Sequence, residues 1–83
     1  MENTNRIAIL GILISDGDSV EKVNAVLHEK GEWVRGRMGL PLRDRKLNAI
    51  TLVLDAPSDE INALTGKLGA IHGVSAKALF AKM

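Results

Sequence analysis

Two stretches of the chain, Arg6 to Ser15 (RIAILGILIS) and Lys46 to Ala56 (KLNAITLVLDA), are apolar in both of their alternating sets of side chains. No other feature constrains the fold as much. Side chains on a strand alternate between two faces, so apolar residues in both phases predict a strand at the centre of a sheet, covered on both sides. In the first stretch the sets are Ile7/Ile9/Leu13 and Ala8/Leu10/Ile12/Ile14. In the second, β-branched Ile50, Thr51 and Val53 add strand preference. Two further stretches are one-sided. Trp33 to Leu40 sets Val34/Gly36/Met38/Leu40 against Trp33/Arg35/Arg37/Gly39, and Val74 to Ala81 sets Val74/Ala76/Ala78/Phe80 against Ser75/Lys77/Leu79/Ala81. One open face each marks them as edge strands.

Helical spacing fills the gaps. After the Asp16-Gly17 turn, Asp18 followed by Glu21 reads as a capping-box variant, Val20, Val23, Val26 and Leu27 form a stripe, and Gly31 supplies a stop. Pro57, Ser58 and the acidic pair Asp59-Glu60 open a second helix whose stripe is Ile61, Leu64, Thr65 and Leu68. A polar turn over Pro41 to Arg45 joins the second strand to the third. The order central, edge, central, edge with these helices predicts an α+β, ferredoxin-like βαββαβ sandwich, its antiparallel sheet ordered 4-1-3-2 with both helices on one face. The helix-free face then has apolar strands and no cover, and a second subunit is the simplest cover. A homo-oligomer, dimer or tetramer, is expected. With 83 residues there is one domain, residues 6–83, behind a flexible polar segment 1–5.

Composition narrows the chemistry. The chain has no cysteine, which removes disulfides, thiolate metal sites and cysteine nucleophiles and suits a reducing cytosol. Its longest apolar run, Ile7 to Ile14, is less than half the roughly 20 residues a membrane helix needs. A cytoplasmic protein without membrane attachment is expected. The net charge of +1 gives no global field to attract nucleic acid, and only Trp33 and Phe80 are available for base stacking. Direct DNA binding is not expected.

No catalytic constellation emerges from His28, His72, Asp16, Asp18, Asp55 and Glu60. Taking the two central strands to run the same way, Asp55 and Asp16 are a pair that can meet, although turn and cap roles account for both. The two imidazoles lack helical metal-site spacing, so His28 and His72 are weak metal candidates and no cofactor is assigned. Two places carry sharper expectations. The turn Asp16, Gly17, Asp18, Ser19 leads from a central strand into a helix N-terminus, where free N–H groups suit a small anionic effector. Arg35, Arg37, Arg43 and Arg45 concentrate positive charge around the second hairpin, where an acidic protein partner would dock or where the charge simply protects an edge. An acylphosphatase-like enzyme needs an arginine-bearing phosphate loop after the first strand, and that loop here reads Ser15-Asp16-Gly17-Asp18.

Three segments, ILGILISD at 9–16, VRGRMGLP at 34–41 and DEINALTGKL at 59–68 followed by HGV, resemble the small stand-alone ACT-like proteins of the iron-only hydrogenase system regulator family. The fold of that family is similar to the C-terminal domain of the nickel-responsive regulator. The resemblance covers the chain from Arg6 onward. It implies a non-enzymatic regulatory module that self-associates through its sheets and takes a small effector near the first strand-to-helix turn. Of the Asp, Pro and Gly that many ACT domains carry in that turn, Asp16 and Gly17 match and the proline is missing. A metal-responsive regulator is the alternative, though the histidine-rich signature of the nickel-responsive regulator and its DNA-binding arm are not reproduced.

Overall fold

The computed structural model describes residues 4–82. The chain forms β1 (Asn5–Ile14), a 3-10 turn (Gly17–Ser19), α1 (Val20–Glu29), a second 3-10 turn (Gly31–Trp33), β2 (Val34–Leu42), β3 (Leu47–Pro57), α2 (Ser58–Gly69) and β4 (Val74–Phe80). A third 3-10 turn, Arg43–Arg45, closes the β2–β3 hairpin. The four strands lie in the order β2-β3-β1-β4, the ferredoxin-like arrangement, with every neighbouring pair antiparallel. Residues 1–3 of the expected flexible segment fall outside the described residues, and Asn5 already pairs with Pro57 in β1.

One core holds the fold together. Ala8, Leu10, Ile12 and Ile14 from β1 and Ile50, Leu52, Leu54 and Ala56 from β3 project to one side of the sheet. There they meet Val23 and Leu27 of α1 and Ile61, Leu64 and Leu68 of α2. Each buried Leu or Ile stabilises the fold by roughly 2 kcal/mol through removal of its surface from water. Thr65, in the expected stripe, is only half-buried, and its Oγ1 donates to the Ile61 carbonyl at 2.7 Å. Lys30–Glu60 and Lys67–Glu29 ion pairs, both at 3.3 Å, fasten the last turn of α1 to α2.

Three local expectations are corrected. Asp55 cannot meet Asp16, because β1 and β3 run antiparallel: Asp55 stands opposite Ile7, at the far end of the sheet from the turn after Ile14. It accepts instead from Arg35 at 2.9 Å. The side-chain cap is made two residues before Asp18, on the 3-10 turn and not on α1 itself. Asp16 Oδ1 accepts the Asp18 backbone N–H at 3.0 Å and so opens the 3-10 turn that leads into α1. Strand β2, finally, does not keep one alternation. Val34 stands opposite Leu54 but Gly36 stands opposite Val53, so Arg35 is the extra residue of a β-bulge. Val34 therefore faces the core, whereas Gly36, Met38 and Leu40 face the helix-free side with Val53, Thr51 and Ala49.

Candidate functional site

The turn after β1 is built against the turn before β4. Ser15 N–H donates to the Gly73 carbonyl at 2.8 Å and its hydroxyl donates to the same oxygen at 3.1 Å. Ser19, almost fully buried, donates from Oγ to the His72 carbonyl at 2.7 Å. Gly73 adopts φ +73°, and a Cβ there would lie 2.7 Å from Asp16 Cβ. Only glycine fits both the left-handed backbone and the closeness of the two turns. Of the four turn residues expected to hold an effector, Asp16 and Ser19 are thus committed to the fold, the one as a cap and the other as a tie. Gly17 is different. Its φ is not positive, and a Cβ there would have nothing within 4 Å.

Because β1 and β3 are antiparallel, the end of the β2–β3 hairpin comes to the same end of the sheet as this turn. A cleft of about 380 Å³ lies between them, lined by Ser15 and Gly17 on one side and by Arg43, Lys46 and Asn48 on the other. Arg43, Arg45 and Lys46 make no ion pair among the described residues. Lys46 holds a left-handed backbone (φ 51°, ψ 48°), an uncommon state for a residue with a side chain. Two cations and a glycine turn sharing one cleft suit an anion, and the acidic neighbours of Gly17 in the chain, Asp16 and Asp18, are not in its lining.

The four arginines of the hairpin do not form one patch. Arg37 projects to the helix side and donates to Asn24 Oδ1 of α1 at 2.6 Å, while Arg35 is held by Asp55. Arg43 and Arg45 remain together at the hairpin end. The imidazoles are separated as well. His28 sits in the last turn of α1, and His72 lies beside its start, 3.7 Å from Asp16 Oδ2. Among the described residues, no three His, Cys, Asp or Glu side chains gather at one point.

The helix-free face of the sheet is the larger feature. Ile9 and Leu13 of β1, Val53 of β3, Met38 and Leu40 of β2 and Leu79 of β4 stand on it, between 37% and 70% exposed. Apolar strands in both phases pointed to this face. The share contributed by β2 was hidden, since only the bulge turns Met38 and Leu40 toward it. The need for glycine at position 73 was equally out of reach: the His72-Gly73 pair signals a turn, but the contact that excludes a side chain comes from Asp16, far away in sequence.

Similarity to known proteins agrees with this architecture. A solved structure, that of the uncharacterized protein TM1266 from Thermotoga maritima, superposes with a TM-score of 0.90 at 38% identity, covering 94% of this chain and 99% of that one. The C-terminal domain of the MgtC protein from Mycobacterium tuberculosis shares the fold at 13% identity, with a TM-score of 0.74 over 98% of this chain and 93% of its own. No curated protein matches the sequence. Residues 6–78 match the TM1266-like family, described as "Iron-only hydrogenase system regulator, putative", and the chain belongs to that family.

Proposed function

We propose that the chain is a non-catalytic regulatory module of an iron-only hydrogenase system, working in the cytoplasm as an assembly of identical subunits joined through the helix-free sheet face. The observation that carries this reading is the uncovered row of Ile9, Leu13, Met38, Leu40, Val53 and Leu79. Six large, half-exposed aliphatic side chains on one face amount to on the order of 600 Å² of apolar surface, the upper end of what a monomer leaves in water and the lower end of one side of a standard interface. The family description supports the regulatory role. The test is light scattering coupled to gel filtration on the wild type and on Leu13→Asp. The wild type is expected to run as an oligomer and the variant as a folded monomer. A wild type that stays monomeric at tens of micromolar, or an oligomer indifferent to Leu13→Asp, refutes this mode of assembly.

The module takes a small anionic effector in the cleft between the Asp16 to Ser19 turn and the hairpin. Arg43 and Lys46 supply the charge, and Gly17 leaves room for close approach. Thermal shift with amino acids, nucleotides and metal ions tests it, repeated on Gly17→Val, whose side chain enters open space and so leaves the fold intact. A ligand that raises the melting temperature of the wild type and not of the variant is expected. A panel with no response counts against the cleft. A second reading, an acidic protein docking on Arg43 and Arg45, is favoured by the absence of ion pairs to them among the described residues; a pull-down unchanged when those charges are reversed would remove it.

A further inference from the structure

Gly11 sits in the middle of β1, a central strand, where the described residues leave room for a Cβ. Its φ is not positive, and an ideal Cβ would meet only the Lys77 carbonyl oxygen at 3.9 Å, an ordinary contact. A glycine inside a strand costs backbone entropy and gives up a side chain that would pack. The residue faces the helix-free side, in the row Met38, Thr51, Gly11, Lys77 formed by cross-strand partners. The next row toward one end of the sheet is Gly36, Val53, Ile9, Leu79, and the next toward the other is Leu40, Ala49, Leu13, Ser75. On β1 itself the two large neighbours, Ile9 and Leu13, thus stand on either side of a missing side chain. A basin of about 470 Å³ opens on the Leu13 side of that gap, lined by Gly11, Thr51 and Lys77 and by Leu13, Ala49 and Ser75 of the next row.

We infer that a second copy of this chain seats a ridge of its own sheet in this basin, so that Gly11 fixes how closely, and in what register, two subunits pack. This rests on the self-association proposed above and goes further by assigning the point of closest approach. Glycine inside a strand marks a place where another backbone or a ligand comes close. A small ligand would need a pocket that encloses most of its surface. Here the basin is part of an apolar face that continues over all four strands, its area at the lower end of what one subunit contributes to a stable dimer. The face also offers both partners of the fit. The Leu13 side chain that walls the basin on one copy, and Ile9 beyond Gly11, are themselves ridges for the other, as a two-fold interface built from one patch requires.

The experiment is analytical ultracentrifugation of the full chain and of Gly11→Val, Gly11→Ala and Gly39→Val, with circular dichroism to follow the fold. Valine has the higher strand preference, and a Cβ at position 11 makes only an ordinary contact within the subunit, so the fold is expected to persist. The expected result is at least a tenfold weaker self-association for Gly11→Val, a smaller loss for Gly11→Ala, and no change for Gly39→Val, which stands opposite Ile50 on the helix side of β2. If Leu13→Asp dissociates the oligomer and neither Gly11 variant weakens it, the inference about Gly11 fails while the face remains the interface. A monomeric wild type overturns both. If Gly11→Val does not fold, Gly11→Ala decides, and an undiminished association constant for it overturns the inference.

Discussion

Gly73→Ala should be the most damaging single-methyl substitution in the chain, and its cost can be worked from the turn it occupies. An alanine must hold φ +73°, the left-handed region, which costs a residue with a Cβ about 1–2 kcal/mol. Its methyl would also lie 2.7 Å from Asp16 Cβ, closer than such atoms approach, and a tight 3.1 Å from Asp16 N. Relief requires moving either the β1–α1 turn or the α2–β4 turn, and both are tied by the Ser15 and Ser19 bonds to residues 72 and 73. Overpacking of this kind costs about 1–3 kcal/mol, so the total is about 3 kcal/mol. For a domain of this size, that lowers the melting temperature by roughly 15 °C. Gly66→Ala is the matched control. Gly66 lies within α2, where a Cβ has nothing within 4 Å, so alanine should stabilise by up to about 1 kcal/mol. Urea unfolding at one fixed protein concentration measures both. Equal effects of the two substitutions, or a Gly73→Ala loss below about 1 kcal/mol, would refute the reasoning.

Three other substitutions separate buried from exposed contributions. Ser19→Ala removes the buried bond to the His72 carbonyl and should cost about 1–2 kcal/mol in urea unfolding, where a value near zero would mean water replaces the hydroxyl. Leu52→Ala empties a fully buried position between sheet and helices and should cost about 3 kcal/mol; a loss under about 1 kcal/mol would mean that the core collapses around the gap. Arg35→Ala breaks a 2.9 Å pair whose arginine side is 67% exposed, so the loss should stay under about 1 kcal/mol and shrink with added salt.

Much of the architecture was legible because the core obeys simple periods. Ala8, Leu10, Ile12 and Ile14 alternate without interruption, as do Ile50, Leu52, Leu54 and Ala56, and of the helix stripes Val23, Leu27, Ile61, Leu64 and Leu68 are buried while Val20, Val26 and Thr65 are half-buried. What escaped depended on contacts between distant segments or on a break in period. Asp16 and Asp18 flank the same glycine, and nothing local decides which one caps. The bulge at Arg35 carries no marker residue, so an unbroken alternation from Val34 to Leu40 was the natural reading. The strand directions that carry Asp55 away from Asp16, and bring Arg43 and Lys46 to Gly17, follow from the sheet as a whole. The cleft was visible in its parts. Its assembly was not.

The irregularity in β2 bears on how far assembly can proceed. An extra residue twists an edge strand and leaves its hydrogen-bonding row uneven, and Pro41 removes one more donor from the same strand. Another chain's strand finds no straight rail there, so lengthening the sheet from subunit to subunit is discouraged on this side. Stacking is a different matter: when two helix-free faces meet, each uses up the other's adhesive surface, and the pair has none left to offer a third. On the assembly proposed above, a sticky plane with a spoiled border favours closed sets of subunits over open-ended sheets.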